Sequence, residues 1–340
     1  MILRATFHTI SIALLLVSSL FLLSTPVIAQ VDIPDVPSDF SLQLTPEIPG
    51  PVSSVSAKVQ SNGENLARAY MRWSLNGTVI SEGAGVVSTS FVVGPIGSTN
   101  TLRVSATLQN GRSLNVSTTI RPAGVDLLWQ SRVYTPPFYP GKASVPYDAA
   151  ITFSAMPFFV GADGSRFSAA NLTYTWRIND TVIGDLSGRG KQTVTLQGPK
   201  VYRGVTVGVE VASSDGSIRA NRSVSFNGEQ PFILFYENDP LLGIRFDHAM
   251  PQNVNLTRTE ATISAFPYFF STEARGGGAL QYTWTLNDSS AAPSPKNSAD
   301  LILRQTAKVA GFANIGLAIQ NLSQIFQAAN KNLQVNFGPK

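Results

Sequence analysis

The chain has 340 residues, of which 14% are charged, with a formal net charge of +4 and no cysteine. Its 43% apolar content argues against disorder, and its Lys and Arg residues are scattered rather than clustered, which leaves no footprint for nucleic acid. The missing cysteines exclude disulfides, thiolate metal sites, thiol nucleophiles and a lipid-modified N-terminal Cys.

In chain order, Arg4 precedes an apolar stretch over 10–23, and Val27 and Ala29 supply the small residues of a cleavage site. This predicts a signal peptide over 1–29. The alternative is an uncleaved membrane anchor, because the stretch is nearly long enough to span. Either way the body of the protein is expected outside the cytoplasm: extracellular, at the cell surface or periplasmic. Residues 30–38, with Pro34 and Pro37, form an extended leader.

A phrase then occurs three times: Met71-Arg72-Trp73-Ser74-Leu75-Asn76, Tyr174-Thr175-Trp176-Arg177-Ile178-Asn179 and Tyr282-Thr283-Trp284-Thr285-Leu286-Asn287. The tryptophans are 103 and 108 positions apart. Large apolar residues alternate with polar ones, so Met71, Trp73 and Leu75 share one face of a strand. A Trp inside a strand, followed by Asn-Gly or Asn-Asp, predicts the centre of a small β-sandwich of immunoglobulin type. The expectation is an all-β chain of three tandem sandwiches at 39–121, 123–228 and 230–340. Trp73, Trp176 and Trp284 are their cores, and damage to one core is expected to stay largely in its own domain.

Within the first unit, Leu102, Val104, Ala106 and Leu108 alternate with polar residues and return as Leu114, Val116, Thr118 and Ile120, which predicts a hairpin with a two-residue Asn110-Gly111 turn. The second unit repeats this with Val205, Val207, Val209 and Val211 and an Asp215-Gly216 turn. In the third, Leu322, Ile325, Phe326 and Ala329 fall at helical spacing, so 322–329 is predicted as a short helix joining the last two strands. The alternative is an irregular strand connection. Eight Asn-x-Ser/Thr sequons are read as composition.

No catalytic constellation is expected. His248 is the only histidine outside the signal segment, and no nucleophile-elbow pattern accompanies a serine. One histidine without cysteine argues against zinc. Glu237, Asn238 and Asp239 are considered as a calcium site at a domain junction, although a turn explains them as well. Arg275-Gly276-Gly277-Gly278 is expected as a flexible loop tip. No cofactor or metal is assigned.

The aromatic residues offer one opening. Trp129, Tyr134, Phe138, Tyr139 and Phe159 are the candidate binding patch, because neighbouring aromatics on a strand point to opposite faces. Such a patch stacks on sugars or anchors a partner. Alternatively these side chains fill the joints between successive sandwiches.

The Trp-x-[Leu/Ile]-Asn phrase, the units of about one hundred residues and the absence of cysteine resemble secreted bacterial PKD-like and Ig-like repeat proteins. The phrase Phe235-Tyr236-Glu237-Asn238-Asp239-Pro240-Leu241-Leu242-Gly243 is similar to one in exported proteins of candidate-phylum bacteria. The usual PKD phrase, Trp-x-Phe-Gly-Asp-Gly, is absent. The resemblance implies a non-enzymatic scaffold, spacer or adhesion module whose partner is an envelope or surface protein or a glycan. Nucleic acid is not implied, and contact with a membrane would come only through an uncleaved signal segment. The second reading is a carbohydrate-binding protein using the aromatics of units two and three.

Overall fold

The computed structural model describes residues 40–200, 203–306 and 310–338. The signal peptide and leader expected over 1–38 lie outside the described residues. Domain 1 has β1 (Phe40–Thr45), β2 (Ser54–Ser61), β3 (Tyr70–Leu75), β4 (Thr78–Ala84), β5 (Ser88–Val92), β6 (Asn100–Thr107) and β7 (Ser113–Ile120). They form a three-stranded sheet, β1-β2-β5, facing a four-stranded sheet, β4-β3-β6-β7.

Domain 2 repeats the plan with β8 (Gly124–Ser131), β9 (Ala150–Phe158), β10 (Thr173–Ile178), β11 (Thr181–Val182), β12 (Gly188–Arg189), β13 (Thr193–Gln197), β14 (Val205–Ala212) and β15 (Arg219–Phe226). Its sheets are β13-β9-β8 and β11-β10-β14-β15, with β12 also on β10. Domain 3 has β16 (Phe232–Asp239), β17 (Gly243–Ile244), β18 (Asn253–Leu256), β19 (Glu260–Tyr268), α1 (Thr272–Gly276), β20 (Leu280–Leu286), β21 (Ser289–Ala291), β22 (Asp300–Arg304), β23 (Gly311–Asn321) and β24 (Ala328–Phe337). Here β18 pairs in parallel with β24 and covers the edge that β7 and β15 leave open. The chain is thus all-β, a series of Ig-like sandwiches.

Each repeated Trp is buried at the centre of its own core: Trp73 among Val55, Met71 and Val104, Trp176 beside Phe153, and Trp284 stacked on Phe235 at 5.7 Å. The indole N–H must find a partner in such a place. Trp73 donates to the Val86 carbonyl at 2.7 Å, Trp176 to Lys191 at 2.8 Å and Trp284 to Ser298 at 2.9 Å. In every domain that carbonyl lies two residues ahead of the strand that crosses the facing sheet. The Trp therefore ties the two sheets together in addition to filling space.

The Asn of the phrase has its own repeated task. Asn76, Asn179 and Asn287 all adopt positive φ (51°, 45° and 47°), as do Gly77, Asp180 and Asp288 after them. Two successive left-handed residues make the tight turn that matches strand twist. Each Asn side chain then accepts from a backbone N–H of the paired strand: from Thr101 N at 2.8 Å, Thr206 N at 2.9 Å and Asn314 N at 2.8 Å. Asn179→Ala is expected to destabilise domain 2 by about 2 kcal/mol, roughly half from the left-handed backbone and half from the lost hydrogen bond. Asn179→Gly should keep the backbone share. Urea melts of the two variants check this; equal losses would remove the conformational part of the argument.

Several local expectations need correction. The segment 322–329 is not helical. Instead β23 runs to Asn321, whose Oδ1 accepts from Ser323 N and Gln324 N, and β24 begins at Ala328. The Asn side chain competes for the backbone donors that a helix would need. The hairpin loops are also longer than two residues: Leu108 N bonds Arg112 O and Ser213 N bonds Ile218 O, and within them only Gly111 and Gly216 take positive φ. The Arg275-Gly276 pair ends the short helix α1, with the Ser271 side chain capping it through Ala274 N.

Candidate functional site

Strands β8 and β16 run from the near pole of their domains to the far pole, and the segments that follow them decide what each pole meets. In domain 2 the segment after β8 grips domain 3. Val133 bridges to Ser271, Tyr134 N donates to Phe270 O at 2.8 Å, and Phe269 N donates to Tyr134 O at 2.9 Å. The Arg275 guanidinium lies 3.5 Å from the Tyr134 ring centroid. Burial raises the Tyr134 hydroxyl above its ordinary range, while nearby Arg275 opposes the shift.

Around this ladder sits a separate apolar cluster of Val133, Ala149, Tyr236, Tyr268 and Phe269, with Tyr139 packed against it. Tyr139 meets the Tyr268 and Phe269 rings edge-on at 5.9 and 5.5 Å. The Tyr236 and Tyr268 hydroxyls share a hydrogen bond of 2.6 Å, and burial first, then that bond, drives the Tyr268 hydroxyl well above its ordinary range.

A polar clasp completes the joint. Gln327, fully buried, accepts from Ser271 N and from Asn321 Nδ2 at 3.0 Å each and donates to the Tyr147 carbonyl of domain 2 at 3.0 Å. Gln324 donates to the Asp148 carbonyl at 3.1 Å. In the linker, Gly228 lies so close to the Tyr147 ring that a Cβ would overlap it. These amides were invisible in the sequence, where Gln and Asn in a loop look like ordinary surface residues.

The joint between domains 1 and 2 is built differently. Arg219 reaches Glu47 at 3.3 Å, Arg121 reaches Ser217 at 3.1 Å, and Val160 rests on Gly97. Among the described residues no backbone hydrogen bond crosses it. Exposed ion pairs of this kind contribute little.

The five candidate aromatics do not form one patch. Trp129 is half-buried, edge-on to Phe226 at 4.8 Å, and Lys142 Nζ covers its ring at 3.2 Å from the centroid. Burial lowers the Lys142 pKa. Tyr134 and Tyr139 belong to the joint. Phe159, at 2% exposure, is in the core of domain 2, and its neighbour Phe158 is the exposed member of the pair. Only Phe138 is open, 88% exposed and 6.2 Å from Phe246.

Two further candidates are accounted for locally. His248 is exposed and contacts Asp247 at 2.9 Å; Arg245 first, then His248, holds the Asp247 carboxyl down at about 2. Glu237 and Asp239 do share a side of β16, at its far end, away from the joint with domain 2. Arg258 lies 2.7 Å from Asp239 and 3.8 Å from Glu237, while Asn238 turns the other way to Ser264. Among the described residues no group of three or more His, Cys, Asp or Glu could hold a metal ion. A shallow trough of about 440 Å³ on the outer face of domain 1 is lined by Arg72, Ser74, Arg103, Ser105, Asn115 and Ser117, without a nucleophile–base pair.

Asp239 also organises the β16–β17 tip: its Oδ1 accepts from Leu241 N at 2.8 Å and Leu242 N at 3.1 Å. Arg258 first, then these N–H groups, depresses its carboxyl to about 2. The folded pKa is below the unfolded one, so this ordering is complete above about pH 4 and is lost as pH falls through about 2. The Leu241 and Leu242 amide shifts should titrate near 2; a midpoint near 4 would show that Asp239 makes none of these bonds in solution.

No protein-family model matches the chain, and no curated protein matches it. Solved structures do. Immunoglobulin domains 1–5 of Sidekick-1 are 10% identical over 86% of this chain and 57% of that chain, with a TM-score of 0.29. The central fibronectin-III array of RIM-binding protein is 10% identical over 88% and 96%, with a TM-score of 0.29. The Bacteroides ovatus glucan-utilization protein SGBP-B, solved with a mixed-linkage heptasaccharide, is 10% identical over 84% and 64%, with a TM-score of 0.21. No residue role is carried over from them; the assignment to Ig-like sandwiches rests on the strand pairing above.

Proposed function

We propose that this is a non-enzymatic, exported, modular protein of the PKD-like/Ig-like kind that acts as a scaffold, spacer or adhesion module at the cell surface or in the periplasm. The observation that carries this reading is the joint between domains 2 and 3. Its backbone ladder, aromatic cluster and buried Gln327 clasp hold two sandwiches at a set angle, which is what a spacer needs. Three sandwiches in series separate the ends by on the order of 100 Å, from ordinary strand lengths. Envelope fractionation of the native source tests the location: recovery of the mature chain in the cytoplasmic fraction would end the proposal. A hydrolase screen tests the chemistry, with no turnover expected; an activity abolished by His248→Ala would overturn the non-enzymatic reading.

The glycan reading has less support. A stacking platform needs an open ring face, and Lys142 covers Trp129, Phe159 is in the core and Tyr139 is in the joint. A glycan array is expected to return no hit that Trp129→Ala removes.

A further inference from the structure

The β8 and β16 strands align through their partners. Val125 sits opposite Pro157 and Ile233 opposite Pro267, within the related phrases Ala155-Met156-Pro157 and Ala265-Phe266-Pro267. Counting forward from Val125 and Ile233, Val133 corresponds to Leu241 and Tyr134 to Leu242. These two positions have opposite fates. In domain 2 they grip the next sandwich: Val133 is 8% exposed and Tyr134 carries the interdomain ladder. In domain 3 they are 93% and 75% exposed, on a tip fixed by Asp239 and Arg258.

A pinned hairpin holding two leucines in water leaves apolar surface whose burial would be favourable. The position says what covers them. Its counterpart is covered by the near pole of domain 3, through Phe269, Phe270 and Ser271 in the connection between β19 and β20. Domain 1 of a second copy is a poor substitute. Its corresponding connection is Asn62-Gly63-Glu64-Asn65, tied to Arg112 by an ion pair and without an aromatic residue.

We propose that the far pole of domain 3, centred on Leu241 and Leu242, is a docking site for a further β-sandwich domain that presents an aromatic connection as domain 3 presents its own to domain 2. One difference follows from Asp239. The Leu241 and Leu242 N–H groups are already bonded, so the contact is made by apolar side chains in place of a backbone ladder. The inference stands on internal correspondence and holds whether or not the chain is exported.

The test extends the full chain after Lys340 with a second copy of 230–340, which leaves five residues between Phe337 and the new Phe232, as between Phe226 and Phe232. Amide exchange over 241–246 is expected to slow at least tenfold. In the extended chain, Leu241→Asp with Leu242→Asp in the first copy should restore the parental rate while the added domain keeps its melting transition. Parental exchange rates beside a folded added domain would overturn the proposal.

A second experiment needs no extension. Val133→Leu with Tyr134→Leu places the tip's side chains at the existing joint, and Phe269 and Thr272, whose N–H groups bond Tyr134 O and Arg132 O, should retain exchange protection within about threefold. Loss of that protection means two leucines cannot hold such a pole. Sedimentation of the parent chain supplies the last arm: a dimer that Leu241→Asp abolishes would assign the tip to a second copy and overturn the further-domain reading.

Discussion

Trp176→Ala is expected to destabilise domain 2 by about 3–5 kcal/mol, a large part of the roughly 5–15 kcal/mol of an ordinary domain. It removes a fully buried indole and also the only side-chain link described from the β10 sheet to Lys191 O. The sequence alone predicts largely local damage. The joint changes that expectation. Domain 3 rests on Val133, Tyr134, Tyr147 and Asp148 of domain 2, so unfolding domain 2 uncovers Tyr268, Phe269 and the amides of Ser271, Asn321 and Gln327. Exchange in β20 and β23 should therefore accelerate in Trp176→Ala, while β3 and β6 of domain 1 stay at parental rates. Trp73→Ala should leave domains 2 and 3 unaffected. If β20 and β23 hold their protection in Trp176→Ala, the joint contributes nothing to domain 3.

Gln327→Met should cost about 3 kcal/mol or more and release domain 3 from domain 2. Methionine preserves the volume but offers no amide. The change strands Ser271 N, takes the donor from the Tyr147 carbonyl and leaves Asn321 Nδ2 with only its long contacts to Ser271 Oγ and Gln324 Oε1 at 3.4 Å; a buried polar group left unpaired costs about 1–3 kcal/mol. Gln324→Met is the comparison. It loses the bond to the Asp148 carbonyl and a long contact from Asn321, in a position water can reach, so its effect should stay below about 1 kcal/mol. Thermal unfolding and interdomain exchange protection read both variants. Equal small effects would mean that water already enters the clasp.

The cores were legible because their signal is repeated and periodic. Trp, flanked two positions away by apolar residues and followed by a left-handed Asn, encodes a strand, its buried face and its turn within six residues. The joint was not legible, because strand periodicity assumes one wet face. Tyr268, Phe269 and Phe270 are all buried in succession, because β19 ends at Tyr268, Phe269 turns the chain with a φ of 65°, and domain 2 covers the face that would otherwise meet water. The same blindness affected Phe158 and Phe159. Alternation correctly makes one of them exposed, yet nothing local says that it is Phe158. Residues 322–329 misled in another way. Apolar residues at helical spacing carry no information about the Asn321 side chain, which takes the donors of the first turn and directs the loop toward domain 2.

The unequal joints have a consequence for reach. A string of three equally loose beads would sweep a wide volume about its anchor. Here the apolar cluster and the Gln327 clasp tie the second and third sandwiches together, while the joint at Arg219, Glu47 and Ser217 has only exposed polar contacts and one small apolar one, so the second joint is expected to bend less than the first. Fewer pivots narrow the spread of end-to-end distances, so a group carried at the far tip spends more of its time at a given distance from the anchor. For a target at that distance the effective local concentration rises, and for any other it falls. On the spacer reading proposed above, the clasp would act as a length selector, favouring partners at one spacing without adding a single contact to them.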